Sequence, residues 1–524
     1  MTGRERDDSG GFDAVELEIL RNRLESVAEE MGQVLIRGAY SPNITERRDC
    51  STALFDATGR MIAQAEHIPV HLGAMPEAVD AVLEFDPRPG DVFLLNDPFS
   101  GGTHLPDLTL VSPLTHEGRI VGYAVSRAHH ADVGGQSPGS MPAGAREIHQ
   151  EGIRIPPIRL VSGGELRSDV QQLFLANVRS PGERRADLRA QRAANERAQS
   201  RLDELLSEHG DRLLAAFDAV VDYSRTRIEA ELAQIPDGTY RAGDVLEGDG
   251  VTDADIPIEV AVTVDGESLV VDFDGTADQV AGNVNAPLSV AKSAVYFVVR
   301  CVTDPDIPPN HGCYEPITIR APDGSLLDPN PPAAVVGGNV ETSQRVTDVV
   351  FAALAEAAPD RVPAQGQGTM NNLVIGSSTF TYYETIGGGA GANPDGDGLS
   401  ATQVGMTNTR NTPIEALERE YPLRVETYAI REGSGGDGRF QGGDGLVRSV
   451  TVETDATVSL LTERRRYPPR GVSGGGDGAT GRNLIDGETA PSKVTREVAA
   501  GTTITLETPG GGGYGEPGSG TPEE

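Results

Sequence analysis

The sequence predicts an α+β protein of several domains, built from mixed, mostly antiparallel sheets with helices and ending in a Gly-rich β region. At 524 residues the chain has the length of about three domains of roughly 150 residues each. Apolar residues recur at helical spacing in some segments and at strand-like spacing in others. The 64 Gly and 35 Pro, with only 5% aromatic residues, indicate a globular protein rich in turns.

The first elements follow from local patterns. Asp13 is predicted to cap a helix, and strand-like residues at 51–64 predict a hairpin. Residues 74–83 predict a second helix, and residues 91–95 a buried strand. The apolar face of the first helix is formed by Leu20, Leu24, Val27, Met31 and Leu35.

Later segments alternate between helical and β-rich patterns. Residues 187–233 predict a long charged helical segment, broken near Gly210, that forms either an arm or a packing hairpin. After a strand-rich part, the segments 287–303 and 343–357 are apolar and predict helices. The predicted division is a disordered tail at 1–12, an N-terminal α+β domain carrying the candidate site at 13–186, the helical segment at 187–233, an α+β middle domain at 234–360, a Gly-rich, β-rich C-terminal domain at 361–517 and a tail at 518–524.

The charge of the chain excludes some partners. The formal net charge is −35, which argues against nucleic acid, because phosphate binding requires clustered Lys or Arg. Only Lys292 and Lys493 are lysines. This composition favours a halophilic source, where salt screens repulsion between carboxylates; a high-GC genome is the alternative explanation.

Cysteine usage and hydropathy predict a cytoplasmic protein without a membrane partner. The three cysteines form no C-x-x-C pair, which suits a reducing compartment. The first residues lack the apolar segment of a signal peptide, and no apolar run approaches the length of about 18 residues that a membrane helix needs.

The stretch from Asn96 to Gly135 carries the strongest functional signal. Seven of the nine histidines lie between His67 and His149. Two strand-like segments within the stretch, 108–114 and 120–127, are joined by a short polar connection and predict a hairpin. Side chains at the ends of such strands are held rigidly enough for chemistry.

The predicted register brings three polar side chains together. A two-residue turn centred on residues 116–117 would pair Asp107 with Ser126 and His104 with His129. Two imidazoles and one carboxylate suit a divalent metal such as Mn, Fe, Zn or Co. A polar hydrogen-bonded network at the strand ends is the alternative.

Other motifs are less specific. His67 and His71 have the spacing of ligands on one helical face, but Pro69 lies between them, so we interpret both as structural, with a place in the wall of the same pocket as the alternative. Residues 433–438 fit G-x-G-x-x-G without the strand–turn–helix context of a dinucleotide site. No G-x-x-x-x-G-K-[ST] motif is present.

Seven segments together are far more specific than any one of them, and they extend over nearly the whole chain. Their combination resembles the hydantoinase B/oxoprolinase family, which includes the B subunit of hydantoinases, the C-terminal half of 5-oxoprolinase and the α subunit of acetone carboxylase. The segments are Glu46–Ser51, His67–Gly73, Asn96–Asp107, His129–Gly135, Asp272–Thr276, Gly338–Gln344 and Thr508–Gly515.

The resemblance implies one component of a hetero-oligomeric, ATP-dependent enzyme. A hydantoinase A-type ATP-binding subunit would phosphorylate a cyclic amide, and this chain would complete the hydrolysis of the ring. In the acetone carboxylase branch the matching motif holds manganese, which implies Mn, with Zn or Fe as alternatives, at His104, Asp107 and His129. Asp132, His130 or Glu46 would serve as the base or orient the ligands.

Further expectations concern the substrate. As we interpret the family pattern, a histidine usually stands where this chain has Gly405, so the substrate or the competence of the site would differ here. Two other functions stay open: carboxylation of a ketone on the same scaffold, and a non-catalytic assembly subunit. The residues expected to bind substrate are Asn96, Asp97, Gly101, Gly102, Asn408 and Arg410.

Overall fold

The computed structural model describes residues 11–66 and 68–518, and in this part the chain forms ten α-helices and four sheets. The predicted α+β class is confirmed, because strand pairing is antiparallel in all the sheets except for one parallel pair. Residues 1–10 and 519–524 of the predicted tails lie outside the described residues. Phe12, which was also placed in a tail, is instead buried. No helix within the described ranges is long and apolar enough to cross a membrane.

The N-terminal part contains a seven-stranded sheet of order β2-β1-β5-β4-β3-β6-β7. Its strands are β1 (Cys50–Asp56), β2 (Met61–Glu66), β3 (Val92–Leu95), β4 (Asp107–His116), β5 (Arg119–His129), β6 (Ile158–Ser162) and β7 (Glu165–Leu166). The helices of this part are α1 (Ala14–Gly38), α2 (Pro42–Thr45), α3 (Ala74–Leu83), α4 (Ser168–Ala176), α5 (Pro181–His209) and α6 (Asp211–Leu232).

The long helical segment packs as a hairpin and is not an arm. The break falls at Gly210, between α5 and α6, and α5 lies against both α1 and the central strands β4 and β5. The buried Gln191 side chain donates hydrogen bonds to the carbonyls of Leu108 and Ser126. Asn195 donates to the hydroxyl of Ser112 in the same way. A helix with few apolar residues is therefore anchored to the sheet through amide side chains.

The middle part joins a smaller sheet to three helices. Its strands are β8 (Gly238–Glu247), β9 (Asp255–Asp265), β10 (Ser268–Asp272) and β11 (Ile317–Arg320), in the order β11-β10-β9-β8. Burial alternates along β9, as expected of a sheet with one face in the core. The helices are α7 (Leu288–Val302), α8 (His311–Tyr314) and α9 (Ser343–Leu354), the last preceded by a π-helical turn at Gly338–Thr342.

The C-terminal part is β-rich, as predicted, with one short helix, α10 (Ile414–Glu420). Its strands are β12 (Asn372–Gly376), β13 (Thr381–Thr385), β14 (Leu423–Arg431), β15 (Gly445–Val452), β16 (Ala456–Leu461), β17 (Arg482–Ile485), β18 (Glu488–Ala490), β19 (Lys493–Val498) and β20 (Thr503–Glu507). They form two sheets, β13-β12-β16-β19 and β14-β15-β20-β17-β18, and share one apolar core.

The register of the central hairpin corrects the prediction. Asp107 pairs with His129 and not with Ser126. The turn residues are Glu117 and Gly118, with φ of 50° and 78°. Two successive positive φ values give the tight turn whose twist matches that of a β-hairpin, so the glycine determines where the chain reverses. A register shift further along the pair adds to the difference.

Candidate metal centre

His104, Asp107 and His129 lie together at one end of the central hairpin. Asp107 begins β4, His129 ends β5, and the two are direct partners in the sheet. His104 lies in the loop that enters β4. One potential ligand atom from each residue lies within 4.8 Å of the others, and all three side chains are buried. The structure thus brings together the three residues that the sequence predicted to converge.

The carboxylate of Asp107 has two distinct sides. Oδ1 lies 2.9 Å from His104 Nε2 and 3.1 Å from His129 Nδ1. Oδ2 accepts a hydrogen bond from the Thr103 hydroxyl at 2.8 Å and lies 3.5 Å from His71 Nε2. Burial acts to raise the pKa of Asp107, but the adjacent imidazoles outweigh it and hold that pKa well below its usual range.

The donor set fits a divalent metal ion. Nδ1 of His104 and Nε2 of His129 are buried and have no hydrogen-bond partner in the described part of the chain. Such unpaired polar atoms are uncommon in a folded protein and call for a physical explanation. Two imidazole nitrogens and a carboxylate oxygen within 4.8 Å of one another are ligands that Mn, Zn and Fe accept.

The centre lines a small cavity whose walls come from several parts of the chain. Its enclosed volume is about 10 Å³, which is close to the space that one water molecule needs. A ligand larger than one water molecule could therefore enter only if the wall moves. Besides the three candidate ligands, the lining residues are Asp49, Ile68, Val70, His71, Asn339, Val340, Met370, Tyr383 and Thr385.

The C-terminal part supports one of the ligands directly. The ring of His129 stacks on Tyr383, with centroids 4.7 Å apart, and the Arg47 guanidinium lies 4.8 Å from the same tyrosine ring. Arg47 also donates hydrogen bonds to the Tyr383 carbonyl and to the Thr385 hydroxyl. The Tyr383 hydroxyl donates to Asn372 Oδ1 at 3.0 Å. These contacts hold the His129 ring from the side opposite its own strand.

The three residues expected to act as a base do not line this cavity. Asp132 is buried and accepts hydrogen bonds from the backbone and side chain of Arg179. His130 Nε2 lies 3.0 Å from Gln191 Oε1, and burial lowers the pKa of His130 to about 4. Glu46 is exposed just after α2. Asp132 and His130 therefore hold neighbouring segments in place, and Glu46 faces solvent.

Asn96 and Asp97 also have structural partners. The Asn96 side chain donates to the carbonyls of Leu105 and Ile153 and accepts from the amide of Ile155. Asp97 accepts the amide two residues later and lies 3.3 Å from Arg154 Nε. Both side chains fix the loop that carries His104.

The remaining residues expected to bind substrate lie elsewhere. Gly101 and Gly102 line a separate cleft of about 350 Å³, together with Lys292. Asn408 and Arg410 are exposed. None of the four lines the metal cavity.

Gly405 lies beside a different and much larger pocket of about 830 Å³. Its φ is +64°, and a β-carbon at this position would lie 2.2 Å from Gln344 Oε1. Any side chain here would have to displace that amide and adopt a strained backbone. Gly405, which was expected to alter the choice of substrate, thus lines this larger pocket at a position where only glycine fits without strain.

Asp49, in the segment Glu46–Ser51, is a buried residue of the cavity wall to which the sequence pattern gave no role. Asp49 immediately precedes β1 and lies beside the end of β5, where its carbonyl accepts the amide of His129. Its side chain is only 4% exposed, and no described residue donates a hydrogen bond to its carboxylate. Pairing β1 with β5 from sequence would have placed it at the cavity.

Known proteins are similar to this chain over nearly its whole length. The chain is 40% identical to an uncharacterized protein of Methanocaldococcus jannaschii, over 97% of this chain and 91% of that one. It is 40% identical to 5-oxoprolinase 1 of Arabidopsis thaliana, over 96% of this chain but 42% of the plant protein. The chain thus spans less than half of the length of that relative.

Two solved structures share the fold. The ATP-dependent caprolactamase of Pseudomonas jessenii matches with a TM-score of 0.88 and 30% identity, over 97% of this chain and 92% of that one. An acetone carboxylase matches with a TM-score of 0.84 over 95% and 76%, and at 20% identity this shows the fold alone. The family model for hydantoinase B/oxoprolinase matches from residue 13 to residue 517, and the chain therefore belongs to the hydantoinase B/oxoprolinase family.

Proposed function

We propose that this chain is the B component of an ATP-dependent amidohydrolase that opens hydantoin-like or 5-oxoproline-like cyclic amides. The observation that carries the proposal is the buried cluster of His104, Asp107 and His129 in a chain of this family. Two similar proteins, 5-oxoprolinase 1 and caprolactamase, are named for cyclic amides. An ATP-dependent step is part of the name of the latter.

The proposal assigns ATP to a partner. The chain contains no P-loop motif, and the plant 5-oxoprolinase is more than twice as long as the region that this chain matches. The M. jannaschii relative, in contrast, has nearly the same length as this chain. We propose a hetero-oligomer with a hydantoinase A-type subunit, which would activate the amide by phosphorylation.

The proposed site assigns separate tasks to the residues of the cavity. His104, Asp107 and His129 would hold a divalent metal, with manganese the first candidate. When bound, such an ion supplies Lewis-acid activation of water near neutral pH. Asp49, rather than Asp132, His130 or Glu46, would accept a hydrogen bond from the attacking water and orient it, because of these four residues only Asp49 lines the cavity.

Overall, the ring amide, ATP and two waters would give the ring-opened amino acid, ADP and inorganic phosphate. The partner would transfer the γ-phosphoryl group of ATP to the carbonyl oxygen. At this site the hydroxyl oxygen of one water would bond to the carbonyl carbon, the carbon–nitrogen bond would break and the ring nitrogen would take the proton, and a second water would release the phosphoryl group as phosphate. Because the cavity holds about one water, the amide can enter only when the wall opens. Met370 is the most flexible side chain of that wall, since it is unbranched.

The test begins with metal content. The purified chain, its His104→Ala/His129→Ala variant and a His149→Gln control at an exposed position are analysed for Mn, Zn and Fe in high-salt buffer. We expect about one metal ion per chain, lost only in the double variant. A wild-type chain that binds no ion after loading with Mn²⁺ would contradict the proposed centre.

Activity is then measured with the partner present. The chain is co-purified with a hydantoinase A-type subunit, and ADP release and ring opening are followed with hydantoin, 5-oxoproline and caprolactam. Ring opening that depends on both His104 and ATP supports the proposal. Carboxylation of acetone with bicarbonate would favour the ketone alternative, and full activity of the complex with the His104→Ala variant would favour an assembly role.

A further inference from the structure

We infer that His71 is a positioning residue, which together with Thr103 holds the outer oxygen of Asp107 so that only Oδ1 is presented to the metal. The inference rests on the proposed metal centre and goes beyond its three ligands. His71 lies 33 residues before His104 in the chain, outside the motif that predicted the centre.

The two oxygens of Asp107 have different neighbours. Oδ1 is the atom closest to both ligand imidazoles, His104 and His129. Oδ2 points away from them, accepts the Thr103 hydroxyl at 2.8 Å and lies 3.5 Å from Nε2 of His71. When one oxygen of a carboxylate is held by hydrogen-bond donors, the carboxylate cannot rotate to present both oxygens to an ion. It then binds the ion through the other oxygen alone.

The ring of His71 is itself fixed. Its Nδ1 lies 2.9 Å from the Ser51 hydroxyl, and its side chain is 1% exposed. His71 ends a 3₁₀ turn at Pro69–His71, and the nearby Gly73 amide donates to the Ser293 hydroxyl of α7. Since Oδ2 of a carboxylate can only accept, Nε2 of His71 is the donor in this contact, and in the neutral ring Nδ1 then accepts from Ser51.

The geometry favours a supporting role over a ligand role. The atoms that could bind one ion, within 4.8 Å of one another, come from His104, Asp107 and His129, and His71 is outside this set. Its nearest atom in the centre is the oxygen that Thr103 already binds. Partners that orient metal ligands in this way typically change metal affinity about 10- to 100-fold when removed.

The test is a titration of the full-length chain with Mn²⁺, followed by electron paramagnetic resonance. His71→Leu removes the donor at similar volume, His71→Gln keeps an N–H donor near the position of Nε2, and His149→Gln is the matched control at an exposed histidine. We expect His71→Leu to weaken Mn²⁺ binding about 10- to 100-fold, His71→Gln to restore most of the affinity, and the control to bind like the wild type.

Pulsed measurements of the bound Mn²⁺ separate the possible roles. We expect two coordinated histidine nitrogens in the wild type and in His71→Leu. Three nitrogens in the wild type that fall to two in His71→Leu would make His71 a ligand and overturn the inference, as would unchanged affinity in His71→Leu. A wild type that binds no Mn²⁺ would instead remove the proposed centre itself.

A second variant guards against misfolding of the first. Thr103→Val is nearly isosteric and removes the other donor to Oδ2. We expect weaker Mn²⁺ binding here too, with unchanged thermal unfolding of the metal-free chain. Wild-type affinity in both Thr103→Val and His71→Leu/Thr103→Val would show that Oδ2 needs no support.

Discussion

Replacing Asp132 with asparagine tests whether this residue acts through structure or through chemistry. Its carboxylate is buried and accepts four hydrogen bonds. Oδ1 accepts the amides of Gly134 and Arg179, both at 2.9 Å. Oδ2 accepts the Gly139 amide and the Arg179 guanidinium, both at 3.0 Å. Asp132 thus joins the loop after β5 to the start of the long helical segment.

The expected loss of stability can be worked out from these four contacts. The one oxygen of asparagine can keep two of the donors, but its NH₂ group faces the other two, which then lose their acceptor. Each unpaired buried donor costs about 1–3 kcal/mol. Arg179 keeps part of its hydration, since its side chain is 28% exposed, so we expect the lower half of the range for that contact. The total expected for Asp132→Asn is about 3 kcal/mol.

The assay is urea unfolding followed by circular dichroism, with metal content measured on the same samples. Asp306→Asn, at an exposed aspartate, is the matched control and should unfold like the wild type. We expect Asp132→Asn to lose stability and to keep its metal ion. A variant with wild-type stability and metal content but a hundredfold lower activity would refute this reasoning and would indicate that Asp132 takes part in the reaction.

Two further predictions concern buried positions away from the cavity. Burial raises the pKa of Glu151 from 4.5 to about 8, so its contribution to stability is complete below about pH 4.5 and is lost as the pH rises through about 8. A tenfold change in proton affinity is worth about 1.4 kcal/mol. From pH 5 to pH 9, the free energy of unfolding of Glu151→Gln, measured in urea, should therefore rise relative to that of the wild type by roughly 2 kcal/mol or more. A difference between the two proteins that does not change with pH would contradict this expectation. Gly139→Ala should cost about 3 kcal/mol, since the residue has φ of +80° and a β-carbon would lie 2.3 Å from Val374 Cγ1; unfolding at the wild-type urea concentration would show that Val374 moves freely.

Local elements of the fold follow from the sequence because their causes are local. Asp13 accepts the amide of Glu16 and caps α1, as its position before an apolar helical pattern predicts. The second helix, Ala74–Leu83, has the predicted bounds. The hairpin of β4 and β5 was also predictable as an element. Its register, however, depended on positive φ values at both Glu117 and Gly118, and sequence patterns rarely reveal such a conformation at a residue other than glycine.

The walls of the candidate centre were less accessible to sequence reasoning. Tyr383 meets His129 across 254 residues of chain, a contact that depends on how distant sheets pack and not on any local period. Residue type could not tell whether Asp132 or Asp49 faces the cavity either, because both are buried aspartates near the ends of strands. What separates them is direction, since only Asp49 lines the cavity.

The contacts of the cavity wall would connect entry of the proposed substrate with binding of the proposed metal. Met370, the most flexible side chain of the wall, and Tyr383, which stacks on His129, belong to one short segment that includes β12 and β13. Movement of this segment away from the hairpin would open the cavity and at the same time release the outer face of the His129 ring. Asp107 is held differently, by Thr103 and His71 on the N-terminal side. We therefore expect opening to loosen one ligand while the carboxylate stays in place, which would keep the ion bound as its wall changes.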